Sequence, residues 1–256
     1  MTLPEPHRLI TPQGRRIAYR QHVPAMRSPL PGVVFLGGFR SDMAGTKALH
    51  LQAWAEGVGR SFLRFDYSGH GLSSGEFEMG CIGDWAEDAT AVLTALTTGP
   101  QILVGSSMGG WIALLLARAW PARVAGLVGI AAAPDFTEDS LWAGFSPAEK
   151  AELASTGRVV QASGYSEGPC IFTSRLIEDG RRHLVLRKPL ALGMPVRLLQ
   201  GTADADVSKT VALQLLDHAT GPDIRLTLVK DADHRFSTPK CLSLISWAIE
   251  DIGGVA

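Results

Sequence analysis

A serine placed between two glycines is the residue of this sequence best suited to nucleophilic chemistry. Gly105, Ser107 and Gly109 form the pattern G-x-S-x-G, with an apolar segment before it and a helical pattern after it. This order of strand, sharp turn and helix presents a serine hydroxyl at the top of a sheet, and the backbone N–H of Met108 can face an oxyanion beside it. Without that context, the same pattern is also typical of a glycine-rich loop that only joins a strand to a helix.

A serine hydroxyl becomes a good nucleophile when a base accepts its proton and a carboxylate orients that base. Both partners are expected on loops at the carboxyl ends of later strands. Asp204 and Asp206 follow the predicted strand Val196–Gln200, and His234 follows the predicted strand Ile224–Val229. The order serine, acid, histidine therefore predicts an acyl-transfer site, with either aspartate as the acid.

Several other residues allow two interpretations. His70 follows a strand that precedes the serine, so a structural role in its turn is preferred to that of a base. Asp135 is an alternative acid, and Asp66 is interpreted as a turn residue in preference to a metal ligand. Trp142 and Phe145 either line an acyl-binding pocket or form the small core of an insertion.

The elements that must position these residues alternate between apolar strands and amphipathic helices. Strands are predicted at His7–Thr11, Arg16–Arg20, Val33–Leu36, Ser61–Phe65, Gln101–Val104, Val124–Ala132, Val196–Gln200 and Ile224–Val229. Apolar residues at helical spacing predict the intervening helices, one of them starting near Ile82 with Asp84 and Glu87 as a capping box. Repeated strand–helix units predict an α/β fold with a mostly parallel sheet covered on both faces.

The alternation stops at residues 134–192, where we expect no buried strand. Ser146 starts a predicted helix that Gly157 ends, and a second helix is expected at Ile171–Asp179. The predicted domains are an α/β core of residues 1–133 and 193–256 and a helical lid of residues 134–192.

Composition excludes several classes of protein. The 256 residues carry a net charge of −1 and are 46% hydrophobic, which fits one large domain and gives no electrostatic footprint for nucleic acid. No stretch approaches the roughly 18 apolar residues of a membrane span. The three cysteines are widely spaced and fit neither a disulfide framework nor a zinc site. Because the first residues also lack a signal-peptide pattern, a cytoplasmic location is predicted.

Several segments together carry a resemblance to a known family. The segments Gly105–Gly109, Gly201–Val207 and Asp233–His234 resemble the α/β-hydrolase fold, over essentially the whole chain. More closely, Phe65–Ser73, Gly105–Trp111, Gly45–Ala48 and Ser163–Glu167 are similar to the subfamily of the mitochondrial acyl-protein thioesterase that also cleaves acyl glucuronides.

The resemblance implies a serine hydrolase with Ser107 as nucleophile, Asp204 as acid and His234 as base, and with Asp206 as the rival acid. Its implied substrate is a carboxylic ester or acyl thioester of a small molecule, or an acylated protein. It implies no metal and no organic cofactor. The alternatives are hydrolysis of a C–C or other bond on the same triad, and a catalytically silent ligand-binding protein.

The resemblance also implies where an oxyanion would bind. The turn Gly37–Phe39 matches the family's turn after the third strand, so the N–H of Phe39 joins that of Met108 in the implied oxyanion hole. Gly37 stands where the family commonly has a histidine, which leaves the backbone donor intact but removes one side-chain brace.

Overall fold

The computed structural model describes residues 5–26, 28–161 and 169–253, and within them a central sheet lies between two layers of helices. The strands are β1 (His7–Ile10), β2 (Arg16–His22), β3 (Gly32–Leu36), β4 (Phe62–Phe65), β5 (Gln101–Ser106), β6 (Val124–Ile130), β7 (Arg158–Gln161), β8 (Cys170–Thr173), β9 (Leu190–Ala191), β10 (Val196–Gly201), β11 (Ala219–Thr220) and β12 (Ile224–Val229). The helices are α1 (Thr46–Gly57), α2 (Ile82–Leu96), α3 (Met108–Ala119), α4 (Pro147–Thr156), α5 (Ser174–Arg182), α6 (Lys209–His218) and α7 (Pro239–Gly253).

The central sheet has the order β1-β2-β4-β3-β5-β6-β10-β12. β2 pairs antiparallel with β1 and β4, and all other neighbours are parallel. β5 is buried at every residue because its two faces both meet helices: Leu103 joins the core with Trp85 and Trp111, and Val104 joins the opposite core with Ile249. A strand covered on both faces requires a continuous run of apolar residues, in place of an alternating pattern. The predicted α/β fold is therefore confirmed.

The insertion between β6 and β10 differs from its prediction. β7 and β8 form a separate two-stranded antiparallel sheet, in which Val159 and Phe172 are buried. The expectation that residues 134–192 hold no buried strand is wrong, because strands of four residues with one buried face leave too short a pattern to recognise. Since the chain at 170–173 pairs in this sheet, α5 begins only at Ser174, and it continues past Gly180 to Arg182. The segment 163–167, which carries part of the family resemblance, lies outside the described residues.

The helix that follows Ser146 agrees with its prediction. Ser146 accepts a hydrogen bond from the Glu149 N–H, and the Glu149 carboxylate accepts one from the Ser146 N–H, which completes a capping box. Gly157 ends the helix with a φ of 77°, in the left-handed region that favours glycine.

The expected capping box of α2 is wrong. The carboxylates of Asp84 and Glu87 form ion pairs with Arg15. The N–H of Gly83 in the first turn instead donates to Oδ1 of Asp179, at 2.6 Å. Because Asp179 belongs to α5, a carboxylate of the insertion caps a helix of the core and ties the two together, a long-range contact that spacing in the sequence does not reveal.

Three smaller expectations can also be compared with the structure. Asp66 accepts hydrogen bonds from the N–H groups of Met43 and Leu72, as a turn residue does. The three cysteines, Cys81, Cys170 and Cys241, are free and buried. Among helices in the described ranges, none combines the length and the apolarity that crossing a membrane requires.

Candidate active site

Ser107 lies in the turn between β5 and α3, in a backbone conformation that serine rarely adopts. Its φ and ψ are 55° and −119°. The Ser107 N–H donates to the carbonyl of Ile130 at 2.9 Å, and the Ser107 carbonyl accepts from the N–H groups of Gly110 and Ala133. Both β6 and the start of α3 therefore hold the turn, which fixes the direction of the hydroxyl.

The glycines around Ser107 are needed because other backbone lies against them. A Cβ at Gly105 would lie 2.3 Å from the carbonyl oxygen of Gly109, and one at Gly109 would lie 2.1 Å from that of Leu36. At Gly38, a Cβ would lie 3.4 Å from the Cβ of Ser107. The loop after β3 thus packs directly against the serine.

Asp204 and His234 form a hydrogen-bonded pair in this site. Nδ1 of His234 lies 2.9 Å from Oδ2 of Asp204, which also accepts from the side-chain amide of Gln200 at 2.9 Å. Oδ1 of Asp204 accepts from the N–H groups of Asp206 and Val207, each at 2.9 Å. Four hydrogen bonds therefore hold the carboxylate. Sequence reasoning missed the role of Gln200, because no pattern in the sequence shows that its side chain reaches Asp204.

The charge state of the pair follows from these bonds. Burial acts to raise the pKa of Asp204, but the hydrogen bonds from His234 and from the N–H groups of Val207 and Asp206 outweigh it and leave the pKa lowered. Asp204 is thus ionised at neutral pH, which places the His234 proton on Nδ1 and leaves Nε2 as a proton acceptor.

The rival residues occupy other positions. Asp206 is exposed and contributes its backbone N–H to Asp204. Asp135 is fully buried, where it accepts from the N–H groups of Val185 and Leu186. His70 is buried in the turn after β4. Of the three candidate acids, only Asp204 has a hydrogen bond to His234 in the described part of the chain.

Ser107, Asp204 and His234 line one cavity of about 960 Å³. An apolar wall is formed by Phe39, Phe136, Leu141 and Phe172, and charged side chains also line it, among them Arg40, Asp42, Lys47, Asp206 and Arg235. A cavity of this volume is typical of ligand pockets, and it presents an apolar wall on one part and many polar and charged side chains on the rest.

Trp142 and Phe145 are absent from the residues that line this cavity, which favours for both the interpretation as the insertion's own core. The Trp142 ring lies under two cations, with Lys150 Nζ at 5.0 Å and the Arg181 guanidinium at 4.7 Å from its centre. Phe145 is buried against Phe172. The aromatic residues of the wall, Phe136 and Phe172, were missed because their place depends on how the insertion folds over the core.

The two predicted oxyanion donors both border the cavity. Met108 is the first residue of α3, where an N–H has no intrahelical acceptor. Among the described residues, the N–H of Phe39 donates to no other backbone group. Both donors are therefore available to a ligand atom next to Ser107.

Lys47 holds the loop that carries His234. Its ammonium donates to the carbonyl of Arg235 at 2.5 Å. Burial lowers the pKa of Lys47 to about 8, with Asp233 acting to raise it and Arg235 to lower it further. A lysine in the first turn of a helix also opposes the helix dipole. The hydrogen bond from Lys47 ties the first turn of α1 to the loop that carries His234.

The only group of metal-ligating side chains found in the described ranges is Asp204, Asp206 and His234, whose ligand atoms lie within 4.8 Å of one another. Both oxygens of Asp204 are already engaged by N–H donors. The donor set fits an acid–base pair better than a cation site.

Comparison with known proteins identifies the family of the chain. The family model described as Hydrolase_4: Serine aminopeptidase, S33, matches residues 29–182. The human palmitoyl-protein thioesterase ABHD10, mitochondrial, is 35% identical over 245 residues, which cover 94% of this chain and 78% of that protein.

Solved structures are also similar. The mouse alpha/beta hydrolase domain-containing protein 10 is 33% identical with a TM-score of 0.87, and the match covers 96% of this chain and 97% of that one. A protein of Agrobacterium vitis S4, described as a candidate hydrolase, is 45% identical with a TM-score of 0.92, over 97% of this chain and 98% of that one.

These similarities confirm the expected fold, the expected subfamily resemblance and the expected class of ester or thioester hydrolases. The predicted cytoplasmic location is wrong, since the curated relatives are named as mitochondrial proteins. That prediction rested on the lack of a targeting pattern, and such a lack does not specify a compartment.

Proposed function

Since the chain belongs to the Hydrolase_4 family (serine aminopeptidase, S33), we propose that it cleaves carboxylic esters or acyl thioesters through an acyl-enzyme on Ser107. The observation that carries the proposal is the shared cavity. The strained turn at Ser107 and the hydrogen-bonded pair of Asp204 and His234 border the same space, with Met108 and Phe39 beside it.

Each residue of the site has a defined part in the proposed reaction. Nε2 of His234 takes the Ser107 proton while Oγ attacks the acyl carbonyl carbon, and the N–H groups of Met108 and Phe39 bind the oxyanion. Asp204 stabilises the imidazolium, which then gives its proton to the leaving oxygen or sulfur. Water then gives a proton to His234 as it attacks the acyl carbonyl carbon. The bond from that carbon to Oγ of Ser107 breaks, and His234 returns the proton to Oγ, which releases the carboxylic acid and free Ser107.

The cavity walls favour an apolar acyl group. Phe39, Phe136, Leu141 and Phe172 surround the space that borders Ser107, so the acyl chain is proposed to lie under the insertion, which acts as a lid. The relatives named palmitoyl-protein thioesterases support an acylated protein or a small thioester as substrate. A cavity of this size accommodates a long acyl chain together with part of the leaving group.

A panel of oxygen esters and thioesters of graded acyl length tests the proposal. Wild type should turn over several members. Ser107→Ala should fall to near background with its fold intact, and Ser106→Ala should retain most activity, because Ser106 is the buried last residue of β5. Turnover by the Ser107 variant equal to wild type would refute the proposal. Binding of the panel by wild type without turnover would instead favour the ligand-binding alternative.

A further inference from the structure

The loop that carries the Phe39 N–H takes an unusual path at its next residue. Arg40 has a φ of 56°, in the left-handed region that non-glycine residues seldom adopt. Its backbone N–H donates to Nε2 of His70, at a distance of 3.3 Å. This N–H belongs to the peptide that joins Phe39 to Arg40, so His70 holds the chain directly beside the proposed oxyanion donor.

The ring of His70 is itself fixed in one orientation. Its Nδ1 lies 3.2 Å from the carbonyl of Ser68, which can only accept, so Nδ1 carries the proton and Nε2 is the acceptor. The side chain is 3% exposed, and burial lowers its pKa to about 4. His70 therefore stays neutral at neutral pH and presents a lone pair to Arg40.

The side chain of Phe39 depends on the same surroundings. The Phe39 ring packs on Phe77 and Trp85, with centroids 4.8 Å and 5.9 Å away. The His70 ring packs on the same two rings, at 5.0 Å and 5.2 Å. One aromatic cluster thus holds both the Phe39 ring and the imidazole that accepts the Arg40 N–H.

We propose that His70 is a positioning residue of the oxyanion hole, which holds the Phe39 N–H in place by accepting a hydrogen bond from the N–H of Arg40. Gly37 supplies no side chain to this loop, and His70 provides the brace from the turn after β4. The assignment rests on the proposed function, because the Phe39 N–H matters only if an oxyanion forms on Ser107.

Three variants separate this role from simple packing. His70→Phe keeps an aromatic ring but removes the acceptor, while His70→Gln offers a carbonyl oxygen at a comparable reach. Tyr67→Phe is the matched control, because it changes a buried side chain of the same cluster and its hydroxyl has no hydrogen-bond partner in the described structure.

We expect kcat of His70→Phe to fall about 10- to 100-fold with KM nearly unchanged, since a displaced donor weakens binding of the transition state more than that of the substrate. The rate of labelling by a fluorophosphonate, which also builds negative charge on an oxygen beside Ser107, should fall in parallel. His70→Gln should recover most of both rates, and Tyr67→Phe should match wild type.

A wild-type kcat in His70→Phe would overturn the assignment, and so would equal losses in the Phe and Gln variants, which would indicate packing alone. If His70→Phe does not fold, His70→Met against His70→Gln gives the same contrast. Activity that is lost in Ser107→Ala but kept in His70→Phe would leave the proposed function standing and refute the role of His70.

Discussion

His234 and Asp204 are joined by a 2.9 Å hydrogen bond between Nδ1 and Oδ2, although 30 positions separate them in the chain. They meet because β10 and β12 are neighbouring parallel strands, with Gly201 paired to Val229, so the loops that leave both strands begin at the same sheet edge. The helix between these strands lies on one face of the sheet and does not separate the loops.

The first prediction distinguishes Asp204 from Asp206. Asp204→Asn keeps the shape but removes the charge that fixes the His234 tautomer, so turnover should fall on the order of a thousandfold or more. Asp206→Asn is the matched control and should cost little, because Asp206 supports Asp204 through its backbone N–H and its exposed side chain has no hydrogen bond to His234 in the described structure. Turnover of both variants, measured on one activated ester at neutral pH, shows which aspartate is the acid. If Asp206→Asn turns over the ester more slowly than Asp204→Asn, then Asp206 is the acid of the triad and Asp204 is not.

The sequence alone predicts the parts of this site that are local. The turn at Ser107 and the order of acid and base after their strands follow from glycine spacing and apolar runs. Gln200, Phe172 and the contact between His70 and Arg40 could not be predicted, since each depends on two loops meeting in space. The strands β7 and β8 were missed for a related reason: each buries only one face.

The second prediction concerns the close packing behind Ser107. Gly109→Ala would place a Cβ 2.1 Å from the carbonyl oxygen of Leu36, so backbone must move and the turn must distort. We expect this variant to lose most turnover and several degrees of melting temperature. Gly144→Ala is the control, since nothing lies within 4 Å of its Cβ position. Equal activity and melting temperature in both variants would contradict the described turn.

The third prediction compares neighbours in the insertion. Leu141 lines the cavity and Trp142 does not. Leu141→Ala should therefore shift the preferred acyl length or bulk upward, because it widens the apolar wall. Trp142→Ala should leave the acyl-length profile unchanged and lower the melting temperature, because it removes the ring that both Lys150 and Arg181 contact. If Trp142→Ala changes the acyl-length profile and Leu141→Ala does not, then Trp142 lines the pocket.

The fourth prediction follows from the titration of His70. Its pKa is lowered from 6.5 to about 4 in the folded state, so between these values the unfolded chain binds the extra proton. Stability should therefore fall as pH drops through this window, by about 2 kcal/mol between pH 7 and pH 5 from this residue. Urea unfolding at both pH values measures it. His70→Gln should lose less stability over that interval than wild type, and equal losses would contradict the burial of a neutral imidazole.

The identity of the nucleophile is the central claim, and covalent labelling tests it most directly. Wild type, Ser106→Ala and Ser107→Ala are incubated with a fluorophosphonate, and the modified peptide is mapped by mass spectrometry. We predict one adduct per chain on Ser107 in the first two proteins and none in the third, with labelling lost in His234→Ala because the hydroxyl is no longer activated. An adduct on another serine, or full labelling of Ser107→Ala, would contradict the account.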